Sequence, residues 1–145
     1  PIDVDRLYLF GHSSGGTAAI FATALDERIT GVLASGCVRR ISEVISTRGN
    51  SNGEYLLPGF LDAFEIDDVV ALVAPRPFVG LSGQNDHIFP HDGVVRVVEG
   101  AEPAYAALNA NDRLRAVATS AGHQYYAEES WAAWRETIDP KVVND

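Results

Sequence analysis

The sequence predicts an α/β domain built on a parallel sheet, and two observations carry this prediction. Short apolar runs alternate with stretches of helical character along the 145 residues, and strands that alternate with helices pair in parallel beneath helices on both faces. Apolar residues make up 46% and charged residues 21% of the chain, which is the balance of an ordinary globular domain. The length fits one domain over residues 1–145.

The four predicted strands are apolar runs bounded by glycine, proline or polar residues. Pro77 suits the start of the third strand, where a missing N–H is tolerated. The strands are predicted at residues 6–11, 29–35, 76–82 and 113–118.

The predicted helices lie between and after these strands. Trp131 and Trp134 share one face of the last helix, because residues three apart are neighbours on a helix. The helices are predicted as a small-residue stretch at 17–22, a short helix opened by Asp67 and Asp68 and ended by Ala74-Pro75, and two more at about 92–109 and 128–138.

Residues 36–65 interrupt the alternation with a long stretch that contains glycine, serine and asparagine. Long excursions in compact domains are usually functional, so we expect this one to form a pocket wall or lid-like segment. Residues 48–53 are expected to be its most flexible part.

Charge and composition exclude several classes of partner. A net charge of −9 opposes nucleic acid and anionic membrane surfaces. No apolar run approaches the roughly 20 residues of a membrane span. The single cysteine, Cys37, forms no internal disulfide and is predicted to be a small buried residue. No signal peptide is visible in the sequence. The sequence does not determine the cellular location, and it slightly favours the cytoplasm.

The strongest local motif is Gly11-His12-Ser13-Ser14-Gly15-Gly16, whose first five residues match G-x-S-x-G after a strand and before a helix. In that position a strained turn lifts Ser13 out of the sheet at the positive end of the next helix. The flanking glycines are expected to avoid clashes with the strand and the helix, and the backbone N–H of Ser14 is a candidate oxyanion donor. A plain glycine-rich turn is the alternative, and the motif lacks the Gly-Lys-Ser/Thr ending of a phosphate loop.

A nucleophilic serine needs a base, and the base needs a group that orients it. Asp86 follows the third strand and His123 follows the fourth, so both lie at carboxyl ends of strands, where sites of parallel sheets form. The chain order of serine, aspartate and histidine is the order that α/β-hydrolases use.

With these motifs the sequence resembles the C-terminal half of an α/β-hydrolase, in the dienelactone hydrolase, acetyl xylan esterase and prolyl oligopeptidase-like branch. The narrower likeness rests on Ala74-Pro75-Arg76-Pro77-Phe78, Gly83-Gln84-Asn85-Asp86 and Phe89-Pro90. The resemblance implies Ser13 as nucleophile, Asp86 as triad acid and His123 as base. It also implies a small-molecule carboxylic ester as substrate and no cofactor or metal. A serine peptidase, or an inactive half-hydrolase that serves as an assembly module, are the alternatives.

The same resemblance implies missing strands before residue 1. The first strand would then have an open apolar edge, and such an edge pairs with other chains. We therefore expect an N-terminal partner segment or self-association across that edge. The sequence contains no methionine, which fits a chain that starts within a domain.

Several other residues compete for roles in the site. His12 and Tyr125 are candidate substrate-binding residues, although His12 could instead pack beneath the serine, and Tyr125 and Tyr126 could simply pack. His87 and His91 have metal-ligand spacing, but Pro90 between them argues against a regular helix, so both are expected at the surface or pocket rim. Two more carboxylates could replace Asp86, but Asp92 is expected to cap the next helix and Asp112 to lie in a turn.

Overall fold

The computed structural model of the protein describes residues 3–48 and 57–138. Within these residues four strands form one sheet in the order β1-β2-β3-β4, and every neighbouring pair is parallel. The four predicted strands are confirmed, with bounds that differ by no more than about two residues. The elements are β1 (Tyr8–His12), α1 (Ser14–Leu25), β2 (Gly31–Ser35), α2 (Ile41–Arg48), α3 (Ile66–Ala71), β3 (Phe78–Gly83), α4 (His91–Ala107), β4 (Leu114–Thr119) and α5 (Ala127–Ile138), with 3-10 turns at Phe60–Asp62 and Asn111–Arg113.

Helices cover both faces of the sheet, as predicted. Side chains alternate between the faces along a strand, so Val32 and Ala34 point to one side and Leu33 to the other. The first side packs with buried residues of α1, α3 and α4 in the larger core. The second side packs on α5, where Trp134 joins Leu33 and Val79 in a smaller core. No helix of the described residues is both long and apolar enough to cross a membrane.

The open edge expected at the first strand is present in the described part of the chain. β2 and β3 are buried along their whole lengths, whereas every residue of β1 is half-buried. On one face of β1, Phe10 packs on Trp131, which is 50% exposed. On the other face, Leu7 and Leu9 line a shallow cavity of about 580 Å³. The edge of β1 therefore carries apolar side chains on both of its faces, and the charged residues Asp3, Asp26 and Arg28 also line the cavity.

The excursion at 36–65 contains a helix, α2, that the sequence pattern does not reveal. The carboxylate of Glu65 accepts hydrogen bonds from the backbone N–H groups of Ile41 (2.6 Å) and Ser42 (3.0 Å) at the start of this helix. The partner that caps α2 thus lies more than twenty residues away in the sequence, beyond the reach of a local pattern. Residues 49–56, which include most of the stretch expected to be flexible, lie outside the described residues.

Two helix starts differ in detail from their predictions. Asp67 and Asp68 lie in the first turn of α3 as expected, but Glu65 caps that helix, which ends at Ala71, ahead of Pro75. The prediction that Asp92 caps α4 is wrong, because Pro90 occupies the N-cap with a φ of −63° that suits a helix start. Asp92 lies in the first turn and pairs with Arg96 (2.8 Å).

Arg76 binds the chain ends of two helices to the start of β3. Its guanidinium donates hydrogen bonds to carbonyl groups in and just after the last turns of α1 and α3, where helix carbonyls lack N–H donors within their own helices. Tyr105 of α4 in turn donates a hydrogen bond to the Arg76 carbonyl (2.9 Å). The guanidinium donates to the backbone oxygens of Thr23 (2.7 Å), Asp26 (3.1 Å), Ile29 (2.9 Å), Val73 (3.1 Å) and Leu72 (3.1 Å).

We predict that Arg76→Met lowers the free energy of unfolding by roughly 2–4 kcal/mol, because part-buried carbonyl groups lose a charged donor. Urea unfolding followed by circular dichroism measures the change. Arg28→Met is the matched control and should leave stability unchanged, since the Arg28 side chain is 85% exposed. Equal stabilities for the two variants would contradict the role assigned to Arg76.

Candidate active site

Ser13 lies in the turn between β1 and α1, with a backbone φ of +53°. A serine in this left-handed region is strained and is held there by its surroundings. Its backbone N–H donates to the carbonyl of Ser35 at the end of β2 (2.8 Å). Its own carbonyl accepts hydrogen bonds from Gly16 (2.9 Å) and Thr17 (3.1 Å) in the first turn of α1. The strand, the turn and the helix therefore fix the serine together.

Two glycines let the strand and the helix approach each other at this turn, but one of them is not the glycine of the five-residue motif. A Cβ on Gly11 would lie 2.3 Å from the carbonyl oxygen of Gly15, and a Cβ on Gly16 would lie 2.9 Å from the carbonyl oxygen of Gly11. A Cβ on Gly15 would meet nothing within 4 Å. The expectation that Gly15 avoids a clash is wrong, because its Cα faces solvent and Gly16 is the residue packed against the strand.

We predict opposite effects for substitutions at the two adjacent glycines. Gly16→Ala should destabilise the protein by roughly 1–3 kcal/mol through overpacking against Gly11 and Cys37. Gly15→Ala should be neutral or stabilise by up to about 1 kcal/mol, because alanine favours a helix and has room there. Thermal unfolding of the two variants side by side measures the difference. A Gly15→Ala variant as unstable as Gly16→Ala would show that the packing described here is wrong.

Asp86 follows β3, and its side chain is 2% exposed. One carboxylate oxygen, Oδ1, accepts hydrogen bonds from the backbone N–H groups of Ile88 and Phe89, both at 2.9 Å. The other oxygen, Oδ2, lies 2.8 Å from Nδ1 of His123. The loop after β3 therefore holds the carboxylate in one orientation and directs one oxygen at the imidazole.

The loop that carries His123 is packed directly on the loop that carries Asp86. Backbone N–H groups of Gln84 and Asn85 donate to the carbonyls of Thr119 (2.8 Å) and Ala121 (3.0 Å). A Cβ on Gly83 would lie 2.0 Å from the Ala121 oxygen, so only glycine permits this approach. The hydroxyl of Tyr126 donates to the carbonyl of Gly122 next to the histidine.

His123 joins the other two residues in one hydrogen-bonded row. Its Nε2 lies 3.3 Å from Oγ of Ser13, while its Nδ1 faces Asp86. An ionised carboxylate can accept but not donate, so Nδ1 carries the ring proton and Nε2 is left to accept from the serine hydroxyl. The three side chains named from the sequence thus meet at the carboxyl ends of β1, β3 and β4, and this arrangement can remove a proton from a serine that attacks a carbonyl.

The competing residues lie outside this row. His87 is exposed, and His91 is half-buried with its Nδ1 3.1 Å from Oγ of Ser82. Asp92 pairs with Arg96, and Asp112 lies in the 3-10 turn before β4, as predicted. Among the residues that the structure describes, no group of three or more histidine, cysteine, aspartate or glutamate side chains could hold a metal ion.

His12 lies beside the row, and its ring is in contact with that of His123. The two ring centroids are 4.8 Å apart, and the ring of Tyr125 is 6.3 Å from that of His12. Burial, followed by the nearby His123, lowers the pKa of His12 below its ordinary value of 6.5. Tyr125 is 42% exposed at the rim, whereas Tyr126 is buried, which separates two residues that the sequence leaves equivalent.

Sequence reasoning does not identify Gly36 as a residue of the site. Gly36 has a φ of +61°, and a Cβ there would lie 2.8 Å from Cε1 of His12 and 3.1 Å from Cε1 of His123. The available signal is its position, because it follows the predicted strand at 29–35 as Ser13 follows the first strand.

Ser14, the candidate oxyanion donor, is the first residue of α1 and is exposed.

Comparisons with known proteins agree with this fold, and they identify no narrower family to which the chain belongs. No profile of a protein family matches the sequence. A putative hydrolase, YtaP of Bacillus subtilis (strain 168), is 30% identical over 125 residues, which are 84% of this chain and 42% of that protein. A glucuronoyl esterase from Caldicellulosiruptor kristjansonii superposes with a TM-score of 0.79 at 21% identity, over 96% of this chain and 45% of that one. A glucuronoyl esterase from Solibacter usitatus gives a TM-score of 0.74 at 22% identity, over 94% and 42%.

The chain has an α/β-hydrolase fold. It spans less than half the length of each of these relatives. An esterase from Pyrococcus furiosus, with a TM-score of 0.63 at 16% identity, is covered over 54% of its length. The comparisons support the superfamily, and the narrower dienelactone hydrolase-like branch stays a prediction.

Proposed function

We propose that the protein is a serine hydrolase that cleaves carboxylic esters through an acyl-enzyme, with Ser13 as nucleophile, His123 as base and Asp86 as the acid that orients the base. The observation that carries the proposal is the row from Ser13 through His123 to Asp86, with separations of 3.3 Å and 2.8 Å. Relatives described as esterases and as a hydrolase support the reaction class.

In the first half of the reaction, Nε2 of His123 takes the hydroxyl proton of Ser13 while Oγ forms a bond to the ester carbonyl carbon. The bond from that carbon to the alkoxy oxygen then breaks, and His123 returns the proton to the leaving alcohol. In the second half, water gives a proton to His123 and attacks the acyl-enzyme. The bond between the acyl carbon and Oγ breaks, the acid leaves, and Ser13 regains its proton.

The developing negative charge on the carbonyl oxygen needs a donor close to Ser13. We assign this role to the backbone N–H of Ser14, because Ser14 is the first residue of α1 and the N-terminus of a helix carries partial positive charge. The twelve residues of α1 give that end a full helix dipole.

The substrate belongs to the class of small carboxylic esters in this proposal, and no cofactor takes part in the steps above. The glucuronoyl esterases among the structural relatives favour an ester of a sugar acid as the first compound to test. Tyr125, exposed at the rim beside His12, is the residue that we propose contacts the substrate. None of the relatives reported above is described as a peptidase or an assembly module.

We predict that Ser13→Ala lowers kcat by on the order of 10⁴-fold to 10⁶-fold, because it removes the nucleophile and leaves the fold intact. Hydrolysis of nitrophenyl esters measures the loss, and a fluorophosphonate probe measures labelling of Ser13 directly. Ser14→Ala is the matched control and should keep most of the activity, since the proposed role of Ser14 uses its backbone.

Near-wild-type esterase activity in Ser13→Ala would contradict the assignment. A parallel panel of aminoacyl-nitroanilides tests the peptidase alternative. Hydrolysis of the anilides in preference to the esters would replace the esterase proposal with that alternative.

We also propose that another polypeptide segment, either a preceding segment or a second copy of the chain, covers the open edge of β1. An uncovered strand edge with apolar side chains on both faces is a surface that pairs with other chains. Leu7 and Trp131, which are 43% and 50% exposed, flank this edge on its two faces. β4, which forms the other edge of the sheet, carries the charged side chain of Arg115 instead.

We predict that residues 1–145, purified alone, self-associate in a concentration-dependent way and that the double variant Leu7→Lys, Trp131→Lys reduces this association. Sedimentation velocity over a range of concentrations measures it. Leu108→Lys is the control, because Leu108 is equally exposed (53%) but follows α4, away from β1. A wild-type chain that stays monomeric at every concentration and is fully active would contradict the proposal.

A further inference from the structure

The imidazole of His123 is in contact with two rings that take no part in the hydrogen-bonded row. The ring of Phe89 stacks on it with a centroid distance of 5.8 Å and an interplanar angle of 28°. The ring of His12 lies closer, with a centroid distance of 4.8 Å and an angle of 40°. Contacts of this kind restrict how a ring can tilt.

Such a restriction matters because the bond to Asp86 constrains only one nitrogen of the imidazole. The ring is attached to its backbone through Cβ, so the motion left to it is rotation about its side-chain bonds, and such a rotation moves Nε2 away from the serine. Nε2 already lies 3.3 Å from Oγ of Ser13, so a further displacement would break the contact. A side chain packed against the face of the ring would limit this rotation.

His12 is itself held by the residue that holds the serine. Nδ1 of His12 lies 3.4 Å from Oγ of Ser35, a fully buried residue at the end of β2. The carbonyl of Ser35 accepts the backbone hydrogen bond from Ser13. Ser35 thus relates the position of the His12 ring to the position of the nucleophile.

Gly36 makes room for both histidine rings at once. A Cβ at this residue would lie within 3.1 Å of the Cε1 atoms of His12 and of His123. Its left-handed φ of +61° and its missing side chain therefore allow the two rings to sit over the same stretch of backbone. Phe89, whose backbone N–H binds Asp86, contributes the second ring contact.

We propose that His12 is a positioning residue for His123, whose ring contact keeps Nε2 of the base directed at Ser13. This inference rests on the proposed function and gives His12 a role other than the substrate contact that its place in the motif suggests. A positioning role requires the ring of residue 12 and does not require its charge, and the contact of Nδ1 with Ser35 only adds to the packing that holds the ring.

The test compares His12→Ala, which removes the ring, with His12→Phe, which keeps a ring of similar width. His12→Ala should lower kcat for a nitrophenyl ester by about 10-fold to 100-fold, because a small displacement of a catalytic group has effects of this size. KM should change by less than about threefold, since no substrate contact is lost in this proposal. His12→Phe should recover most of kcat, and His87→Ala, at an exposed histidine, should match the wild type in both constants.

A second readout does not depend on turnover. The Nδ1 proton of His123, observed by ¹H–¹⁵N NMR of the imidazole, should give one sharp signal in the wild type and in His12→Phe. The signal should broaden or vanish in His12→Ala, because the freed ring samples several orientations. If His12→Ala does not fold, His12→Gln replaces it as the variant without a ring.

The outcomes separate the inference from the proposed function. Wild-type Ser13 that fails to react with a fluorophosphonate probe would overturn the proposed function, and the NMR comparison would then decide the positioning claim alone. A labelled wild type with an equally fast ring-less variant would overturn the inference and leave the proposed function standing. A raised KM with unchanged kcat in His12→Ala would also overturn it, since that pattern indicates a substrate contact.

Discussion

The parallel register of the four strands is the constraint on which the site depends. His12 pairs with Ser35, Ser35 pairs with Leu81, and Gly83 pairs with Thr119, so the strands end together at one edge of the sheet. The loops that follow β1, β3 and β4 leave from that edge and carry the serine, the aspartate and the histidine. A shift of one residue in any of the three pairings would turn the side chains of that strand to the opposite face. Residues 110 positions apart in the chain meet within hydrogen-bonding distance because the backbone ladder fixes this edge.

Close approaches of backbone to backbone then set the finer geometry. Gly11 and Gly16 bring β1 against α1 below Ser13, and Gly83 brings the aspartate loop against the histidine loop. Gly36 leaves room for two histidine rings over one peptide. At each of these glycines a methyl group would lie closer than van der Waals contact to a neighbouring atom. These glycines therefore determine how closely the segments that carry the side chains of the row can approach one another.

The described residues contain every side chain of the hydrogen-bonded row, whereas the sheet that supports the row has an open edge at β1. The proposed acid, base and nucleophile all lie within residues 13–123, and two backbone N–H groups hold the Asp86 carboxylate in place. The sheet that supports them ends, in the described residues, at the strand that leads into Ser13. β1 is half-buried, whereas β2 and β3 are fully buried. The less buried strand is the one next to the site. The strand that precedes Ser13 is therefore the least buried of the three strands β1, β2 and β3.

The sequence by itself determined the order of the four strands and of helices α1, α3, α4 and α5, the one-edge placement of Ser13, Asp86 and His123, and the apolar character of β1. These follow from local periodicity and turn residues, which a short window of sequence contains. The placement of the three residues also uses the rule that sites of parallel sheets lie at the carboxyl ends of strands. Only the tertiary structure decided that Gly16 rather than Gly15 is packed against the strand, that Glu65 caps α2, and that the ring of His12 lies against that of His123. Each of these depends on two segments that are distant in the chain and meet after the sheet has formed, so no local pattern encodes them.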